Sequence, residues 1–503
     1  MEKLATYLTP EQAAAALRAQ AERLGATEFA QVRNLDYILA PTDLYPLAPR
    51  VPPPLPRIMA FAVDMDGTST TTEPLALHAL EYMVRRFTNR PAKADWPGLD
   101  ERLDLPHVIG SSNFRHTEFL LTRYRAAIDR PAFAAAFIEA VLWTLANMTD
   151  PQRRRDVALN ARNCGLTQML KDPAVTVVQS SALQQHSVPP AGQSSALQAA
   201  VGPSQGRAEG EPEPAQAIDP ARQSLAVRKY VPAFNPTHLS DEVAAALDIY
   251  YMRYHSILRE LEQGRGEALA RELLGAGAPG AGACSAARHL VEPMPGYDVF
   301  IPLIKGWLGP EIDALYEPLR AHLLKNTELG HARAAIDAWR PRLVRLADHF
   351  RRSPAKAALV TASIAYETHA CMREVIRVMA ERVAHWPVPA ETRDRLAANL
   401  ADYRGVFDGF ACASDVWEAR LKPHRDLYSL ALFQMSIPRA DYPCVVGLED
   451  TEPGIIALRA AGVGCAVALP NHDTRRQDYA AAVDVIRGGL PELILARNLL
   501  LAE

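Results

Sequence analysis

The sequence predicts an α/β fold, in which a parallel β-sheet covered by helices is split by a long, mainly helical insertion. Two observations predict it. In the last third of the chain, short apolar runs alternate with helical patterns, which is typical of parallel βαβ units covered on both faces. A further apolar run, Phe61–Val63, lies far upstream and leads into paired aspartates, so we expect it to complete the same sheet from a distance.

The composition is that of an ordinary globular protein. At 503 residues the chain exceeds what one hydrophobic core usually supports, so we expect two or three domains. The net charge of -4 and the lack of a long basic block argue against a nucleic-acid partner or a polybasic membrane patch. No stretch is apolar enough to span a bilayer, and the six cysteines are dispersed, with no secretory leader. We therefore expect a cytoplasmic protein, with its oligomeric state left open.

The first element is an N-terminal extension, residues 1–56. Thr9 is placed to cap a helix that begins at Pro10, and Gln12 is placed to complete a capping box. A proline-rich connector, Ala40–Arg57, follows, and proline at this density favours an extended backbone over a helix. This part is predicted to be an appendage to the main fold.

The main fold is predicted in three parts, which are the first part of the sheet domain at 57–100, the helical insertion at 101–332 and the second part of the sheet domain at 333–503. Within the insertion, residues 172–222 are rich in Ser, Gln, Ala, Pro and Gly and repeat QSSALQ, so we expect a disordered or loosely held low-complexity stretch. A patch of small residues, Gly275–Ala287, is predicted to be a flexible loop.

The second part of the sheet domain supplies the other predicted strands, which are the apolar runs in KAALVTAS, GFACAS, CVVGLED and GCAVALP. Helical patterns separate them, in YETHACMREVIRVMAERV, HRDLYSLALFQM and PGIIALRAAG. Ligands in an open parallel sheet bind outside the carboxyl ends of the strands. The polar residues at those ends are therefore the candidates for a functional site.

The strongest candidates are Asp64 and Asp66, which follow the upstream strand in the order Asp-Met-Asp-Gly-Thr. The Asp64 carboxylate can act as a nucleophile, and Asp66 can donate and then remove a proton, as the hydrolysis of a phosphate ester requires. Gly67 allows a sharp turn after them. The alternative is a turn in which both aspartates only cap backbone amides.

Two further strand ends carry a hydroxyl and a cation. Thr361 ends the run LVT and can offer its hydroxyl to a phosphate oxygen, although a strand-terminal threonine is more often a helix cap. Lys422 precedes a predicted helix and could neutralise a phosphoryl group, although most lysines are solvated surface charges.

Glu449 and Asp450 follow an apolar strand, and adjacent carboxylates at a strand end suit Mg²⁺. The alternative is that these residues cap the following helix.

The ordered set DMDGT, VTAS, LKP and GLEDTEPGIIALRAAG closely resembles the haloacid dehalogenase superfamily of phosphohydrolases, in particular the branch with phosphoglycolate phosphatase and β-phosphoglucomutase. The resemblance covers about Arg57–Thr72 and Lys356–Pro470. It implies a Rossmann-like core with an inserted cap domain, which closes over the site and selects the substrate.

The resemblance also implies roles for individual residues. Asp64 would be the nucleophile and Asp66 the general acid and base, while Thr361, Ala362 and Lys422 would bind the phosphoryl group. Asp64, the main-chain carbonyl of Asp66, Asp450 and Glu449 would hold Mg²⁺. Ala362 stands where the family commonly has a small polar residue, and Arg425 stands where a second proline is frequent; neither change removes a required group.

The cap would occupy the interval from Thr72 to Lys356, which is far longer than the usual compact helical cap. Arg115 and His116 follow a Gly-Ser-Ser-Asn turn in this interval, so they are predicted to reach a distal anionic group of the substrate. The alternative, that they cap a helix on a solvated surface, is left open.

The predicted function is a Mg²⁺-dependent phosphatase that hydrolyses a small phosphorylated metabolite through an aspartyl-phosphate. A phosphomutase of the β-phosphoglucomutase type uses the same core residues and is the first alternative; the relatives place a histidine shortly after the aspartates, and His78 lies nearby at a different spacing. The second alternative is a non-catalytic binding or regulatory protein with the same fold. The presence of every core acid and of the lysine weighs against it.

Overall fold

The structure is a computed structural model. It describes residues 8–34, 40–90, 94–108, 113–173, 220–274, 289–326, 329, 331, 333–415 and 420–502. Most of the predicted low-complexity stretch and all of Gly275–Ala287 lie outside the described residues, so the predictions made for them stay predictions.

The strands form one pair and one large parallel sheet. They are β1 (Phe29–Arg33), β2 (Thr42–Pro46), β3 (Ala60–Asp64), β4 (Lys356–Val360), β5 (Gly409–Ala411), β6 (Val445–Glu449), β7 (Cys465–Ala468) and β8 (Asp484–Val485). β1 and β2 are antiparallel, and the other six are parallel in the order β5-β4-β3-β6-β7-β8. The predicted parallel sheet is therefore confirmed. Sequence reasoning missed β8, because two residues are too few to show an apolar run.

The other regular elements of the described chain are helices. The α-helices are α1 (Pro10–Leu24), α2 (Glu73–Phe87), α3 (Leu105–Val108), α4 (Asn113–Arg123), α5 (Arg130–Asn147), α6 (Pro151–Asn163), α7 (Thr167–Lys171), α8 (Pro220–Tyr230), α9 (Leu239–Glu262), α10 (Gly266–Leu274), α11 (Tyr297–Ile304), α12 (Tyr316–Lys325), α13 (Arg333–Ala338), α14 (Arg340–Arg352), α15 (Ala365–Ala384), α16 (Ala390–Asn399), α17 (Asp426–Gln434), α18 (Glu452–Ala460) and α19 (Gly489–Leu495). Short 3₁₀ helices lie at Arg125–Ala127, Val231–Ala233, Pro310–Leu315, Tyr403–Gly405, Arg439–Cys444 and Asn498–Leu500. In the part of the chain described here, no helix combines the length and the apolar character needed to cross a membrane.

The central strand β3 is buried on both faces, which explains why its sequence is apolar without alternation. Successive side chains of a strand point to opposite faces. Phe61 contacts Phe300 of α11 and Phe350 of α14, with ring centroids 5.2 and 6.5 Å away. Ala60 and Ala62 belong to a core cluster that includes residues of α17 and α18. The sheet therefore has a helical layer on each side.

The strand order brings the ends of β3 and β6 together. Counted within the large sheet alone, the order is 3-2-1-4-5-6 with β3 as strand 1, which is the Rossmann order. The chain leaves β3 towards β4 on one side, and β6 lies on the other side, so the topological switch point lies between β3 and β6. The predicted carboxylates stand at the carboxyl ends of these two strands.

The chain divides into two compact units. The larger contains residues 1–78, 100–112 and 256–503, and the smaller contains 79–99 and 113–255. The smaller unit has its own core, in which Phe133 contacts Phe87 and Phe234, with ring centroids 5.9 and 5.3 Å away. This division does not test the domain boundaries predicted from the sequence, which stay predictions.

The N-terminal segment begins with the predicted helix and continues into a hairpin. α1 has the predicted cap, since Thr9 accepts from the Gln12 amide and the Gln12 side chain accepts from the Thr9 amide. β2 lies inside the proline-rich connector, where the backbone is extended as expected but is paired with β1. Buried hairpin residues, among them Val32 and Tyr45, pack against Ala460 of α18. The hairpin is thus part of the larger unit's core.

Arg459 of α18 joins this segment to the sheet domain. Its side chain is fully buried, and Nη2 pairs with Glu28 Oε2 at 2.7 Å. The guanidinium also donates to the carbonyl oxygens of Ala48 and Ala481, from Nε and Nη1 respectively, each at 3.2 Å. Both carbonyls are partly buried, and a carbonyl that loses its donor there is costly, so this one side chain holds two loops.

We predict that Arg459→Met lowers the free energy of unfolding by about 2–4 kcal/mol, because two partly buried carbonyls lose their donors and Glu28 loses the partner that lies in the interior. Glu28→Gln is the matched control and should cost less than about 1 kcal/mol, because the Glu28 side chain is 39% exposed. Urea denaturation of the full chain measures both changes. Equal destabilisation by the two variants would contradict the assignment of the stabilising contacts to the carbonyls.

Candidate active site

The ends of three neighbouring strands carry two predicted catalytic residues, Asp64 and Thr361, and a predicted metal ligand, Glu449. Asp64 ends β3 and Glu449 ends β6, while Thr361 directly follows β4. All three are buried. The strand register explains the proximity, because Val63 pairs with Leu448 and Asp64 pairs with Val360.

Lys422 reaches two of these carboxylates from the loop before α17. Its ammonium contacts Asp64 Oδ1 directly and lies 2.7 Å from Glu449 Oε1. Burial alone would lower the pKa of Lys422, but the charges of Asp64 and Glu449 raise it above its ordinary value. The lysine therefore stays protonated and holds the two strand ends together.

Glu449 is oriented by three donors. Lys422 and the Tyr428 hydroxyl, which donates at 2.5 Å, share Oε1. The Thr451 hydroxyl donates to Oε2 at 3.1 Å. The Lys422 ammonium also lies 5.3 Å from the centre of the Tyr428 ring. Because the Glu449 carboxylate is held in one orientation, it holds the Lys422 ammonium in contact with Asp64.

Asp66 has a different environment made of hydroxyl groups. Thr361 and Ser363 donate to Oδ2 at 2.9 and 3.2 Å, and Thr72 donates to Oδ1 at 2.5 Å. Burial raises the pKa of Asp66, although the hydroxyl donors and Lys422 oppose the rise. A raised pKa moves a carboxyl group towards neutral pH, where general acid and base catalysis is most effective.

Asp450 completes the acidic group. Thr68 donates to Oδ1 at 3.3 Å, and the Asn471 amide donates to Oδ2 at 2.9 Å. Burial raises the pKa of Asp450 well above its ordinary value, and the charges of Asp64 and Glu449 raise it further. Burial likewise raises the pKa of Asp64, with Glu449 adding to the rise and Lys422 opposing it.

These carboxylates fit a divalent cation. Asp64, Glu449 and Asp450 each offer a ligand oxygen, and these atoms lie within 4.8 Å of one another. Within the described residues, Lys422 forms ion pairs with Asp64 and Glu449 but none with Asp450, and buried charges without partners are costly. Mg²⁺ takes hard oxygen ligands from one or two carboxylates and neutralises their charge. The donor set is therefore suited to Mg²⁺.

The first and last of the ordered motifs lie at the carboxyl ends of the two strands that flank the topological switch point. Asp64 and Asp66 follow strand 1 of the 3-2-1-4-5-6 sheet, and Glu449 and Asp450 follow the neighbouring strand. Lys422 lies between them, as the resemblance of the motifs implied. This is the α/β arrangement that the resemblance of the motifs to the haloacid dehalogenase superfamily implies.

Comparison with known proteins finds solved structures that are similar to this chain. No protein-family model and no curated protein matches the sequence. CbbY from Rhodobacter sphaeroides in complex with phosphate is 14% identical, with 87% of this chain and 96% of that chain covered and a TM-score of 0.33. A mutant of CbbY in complex with xylulose-(1,5)bisphosphate has the same identity and coverage and a TM-score of 0.34. A presumed β-phosphoglucomutase from Thermotoga maritima is 12% identical, with 87% and 97% covered and a TM-score of 0.32.

At these identities and TM-scores the neighbours decide neither the substrate nor the reaction of this chain.

Sequence reasoning missed several residues that contact the acidic group. Thr68 and Thr72 belong to the hydroxyl cluster after Asp66, and Asn471 follows β7 by three positions. Their signal was polar character just beyond a strand, the same signal that identified Thr361. Tyr428 gave no comparable signal, because an aromatic residue in an amphipathic helix is usually core.

Glu73, in the first turn of α2, is a further acid near the site. It is half-buried, and its pKa is raised to about 8 by burial and by the charges of Asp66 and Asp473. At neutral pH it is therefore mostly protonated and adds little to the negative charge of the group.

The remaining predicted site residues are Ala362, Arg115 and His116. Ala362 is exposed beside Thr361. Arg115 and His116 lie on α4 in the smaller unit, so their part in substrate binding stays a prediction. His116 is buried, and neither ring nitrogen has a hydrogen-bond partner among the described residues. Burial lowers its pKa to about 3, so at neutral pH its ring carries no charge to attract an anion.

The N-terminal hairpin contacts the loop that carries Lys422. The Tyr45 hydroxyl lies 2.5 Å from His424 Nδ1, two residues after the lysine. On the other side of the lysine, Arg420 donates to Asp43 at 3.4 Å. The loop is thus held on both sides of Lys422 by residues of β2.

We predict that metal binding depends on pH. Burial raises the pKa values of Asp64 and Asp450 in the folded protein above their values in the unfolded chain. Without metal, these two groups therefore stabilise the folded state at low pH. This contribution to stability is lost as the pH rises through their pKa values in the folded state. Mg²⁺ competes with protons for these groups, so it should raise the melting temperature more at pH 8 than at pH 5. Thermal unfolding with and without Mg²⁺ measures this, and Asp450→Asn should reduce the difference. An equal gain at both pH values would be inconsistent with carboxylate ligands.

We predict that Tyr45→Phe lowers the turnover of any reaction at this site by about 3- to 10-fold while leaving KM nearly unchanged, because the lysine loop loses one anchoring hydrogen bond. Tyr442→Phe is the matched control, since Tyr442 packs against the core cluster and not against the loop. Steady-state kinetics measures both variants. A loss in both, or in neither, would mean that the Tyr45 hydroxyl does not position the loop.

Proposed function

We propose that this chain is a Mg²⁺-dependent phosphatase that hydrolyses a small phosphomonoester through an aspartyl-phosphate on Asp64. One observation carries the proposal: Lys422 contacts Asp64 and Glu449, while Asp66 lies apart from the lysine in its own group of hydroxyl donors. Two carboxyl groups of the same kind, two residues apart, therefore have different environments. This difference is what a nucleophile and a general acid require.

The first step is the attack of Asp64 on the phosphorus atom. A carboxylate and a phosphate ester repel each other, and Lys422 reduces the repulsion by placing a positive charge beside the attacking oxygen. Bound Mg²⁺ would supply further neutralisation of the transferring group's charge. The ester bond to the alcohol breaks as the bond between Asp64 and phosphorus forms.

Asp66 serves both halves of the reaction. In its protonated form it donates a proton to the leaving alcohol, and the resulting carboxylate then takes a proton from the water that hydrolyses the aspartyl-phosphate. The hydroxyls of Thr72 and Ser363 hold the side chain in one orientation for both transfers, which leaves the Thr361 hydroxyl able to turn from Asp66 to the phosphoryl group. Thr361 and Lys422 are also the proposed ligands of the phosphoryl oxygens, with the backbone at Ala362.

The proposed substrate is a small phosphorylated metabolite, with no part for nucleic acid or membrane. The proposed cellular location is the cytoplasm. These proposals rest on the composition and charge of the chain and on the phosphoryl chemistry that its acidic group suits.

We predict that Asp64→Asn abolishes Mg²⁺-dependent phosphate release from a panel of small phosphomonoesters, because the amide cannot form the aspartyl-phosphate. Asp66→Asn should lower turnover by about 10²- to 10⁴-fold, since it removes the general acid. Lys422→Met should cost at least about 10²-fold. Asp394→Asn, on the exposed side of α16, is the matched control and should leave turnover unchanged.

The same assay separates the alternatives. Phosphate release that needs Mg²⁺ and Asp64 would support the phosphatase. A sugar phosphate that is isomerised with no phosphate released would replace it with a phosphomutase. If neither reaction occurs with any compound, the chain would be a non-catalytic protein with this fold.

A further inference from the structure

A second pocket lies beside the acidic group, within the larger unit. Its volume is about 360 Å³, and Gly67, Thr68 and Asn471 form one wall. The side chains of Thr68 and Asn471 are the same two that hold Asp450. The pocket therefore shares a wall with the proposed metal site without containing its carboxylates.

The lining of this pocket is rich in groups that bind oxyanions. Arg475, Arg487, His322 and His472 contribute nitrogen donors, and Asn326 and Asn471 contribute amides. The described lining residues include no aspartate or glutamate. The only other polar lining side chain in that described set is Thr68. Such a set of donors without carboxylates suits an anion.

The two arginines are available to a ligand. Both are exposed, and within the described residues neither guanidinium forms an ion pair with a carboxylate. Arg487 Nη1 donates to the carbonyl oxygen of Arg475 at 3.3 Å, which holds the Arg487 side chain against the loop that carries Arg475. Asp473 is the nearby counter-charge, since His472 and Arg475 oppose the rise that burial causes in its pKa.

Part of the lining is apolar. Leu469 and Leu490 line the pocket and are buried, and the partly buried Met294 and Pro295 also line it. Met294 is tied to the loop after β3, because its amide donates to the Ser69 carbonyl at 2.9 Å. This apolar part of the lining could contact a short carbon skeleton while the arginines hold its charged end.

We propose that this pocket is an oxyanion site, separate from the phosphoryl site, that takes a phosphate-type group. The group is carried either by the substrate, as a second acidic group at its distal end, or by free phosphate. The first source rests on the proposed function, because it requires an ester held at Asp64. The second does not.

The test uses Arg475→Gln/Arg487→Gln in the full chain, with Arg476→Gln as the matched control, since Arg476 is exposed beside the pocket and does not line it. Titration calorimetry with inorganic phosphate at low ionic strength counts the sites. We expect one site fewer in the double variant than in the wild type and the control. Glutamine keeps much of the side-chain length at two exposed positions, so the fold should be retained.

The second arm compares propyl phosphate with 1,3-propanediol bisphosphate, which differ by the distal phosphate. For the double variant, the ratio of kcat/KM for the bisphosphate to kcat/KM for the monoester should fall by about 10-fold, as expected for two exposed charge contacts. A fall in the ratio identifies the substrate as the source. A lost phosphate site with an unchanged ratio identifies free phosphate.

The proposal is overturned if the double variant changes neither the number of phosphate sites nor the ratio, relative to Arg476→Gln. Failure of the proposed function gives a different result, because the wild type would then hydrolyse neither ester. In that case the calorimetric count alone decides between an oxyanion pocket and none.

Discussion

Lys422 lies between Asp64 and Glu449, and the arrangement of the site depends on that contact. The two carboxylates stand at the ends of adjacent parallel strands, so their separation is set by the sheet and not by flexible loops. Two buried carboxylates this close would repel each other, and one would take up a proton, unless a cation lay between them. The lysine supplies one positive charge, and the excess of carboxylates leaves room for another cation.

The sequence predicted the part of this arrangement that follows from strand ends. Asp64, Thr361, Glu449 and Asp450 each come directly after an apolar run, and parallel strands end at one edge of a sheet. Lys422 was also a candidate, between a predicted strand and a predicted helix, but a lone lysine is a weak signal and its role came from the resemblance of the motifs. Local pattern and resemblance together pointed to Asp64, Lys422 and Glu449 but missed the nearby acid Glu73.

The rest could not be predicted, because it depends on contacts between distant parts of the chain. Tyr45 meets His424 across 379 positions, and Arg459 meets Glu28 across 431. No periodicity in either segment reports on the other. The hairpin itself has strands of five residues with few buried side chains, in a segment where proline obscured the alternation. The N-terminal segment was therefore predicted as an appendage, although its residues pack against α18 and reach the lysine loop.

In the proposed reaction, the environments of the carboxyl groups divide the chemistry among them. Asp64 is held by an ammonium group, which favours the ionised form that a nucleophile needs, even though burial raises its pKa. Asp66 is held by three hydroxyl groups, which can accommodate both the ionised and the protonated form, because a hydroxyl can donate or accept. Asp450 is held by an amide and a hydroxyl that leave its remaining lone pairs for a metal. All three residues are aspartates, so their different proposed roles follow from the groups that surround each side chain and not from the residue type.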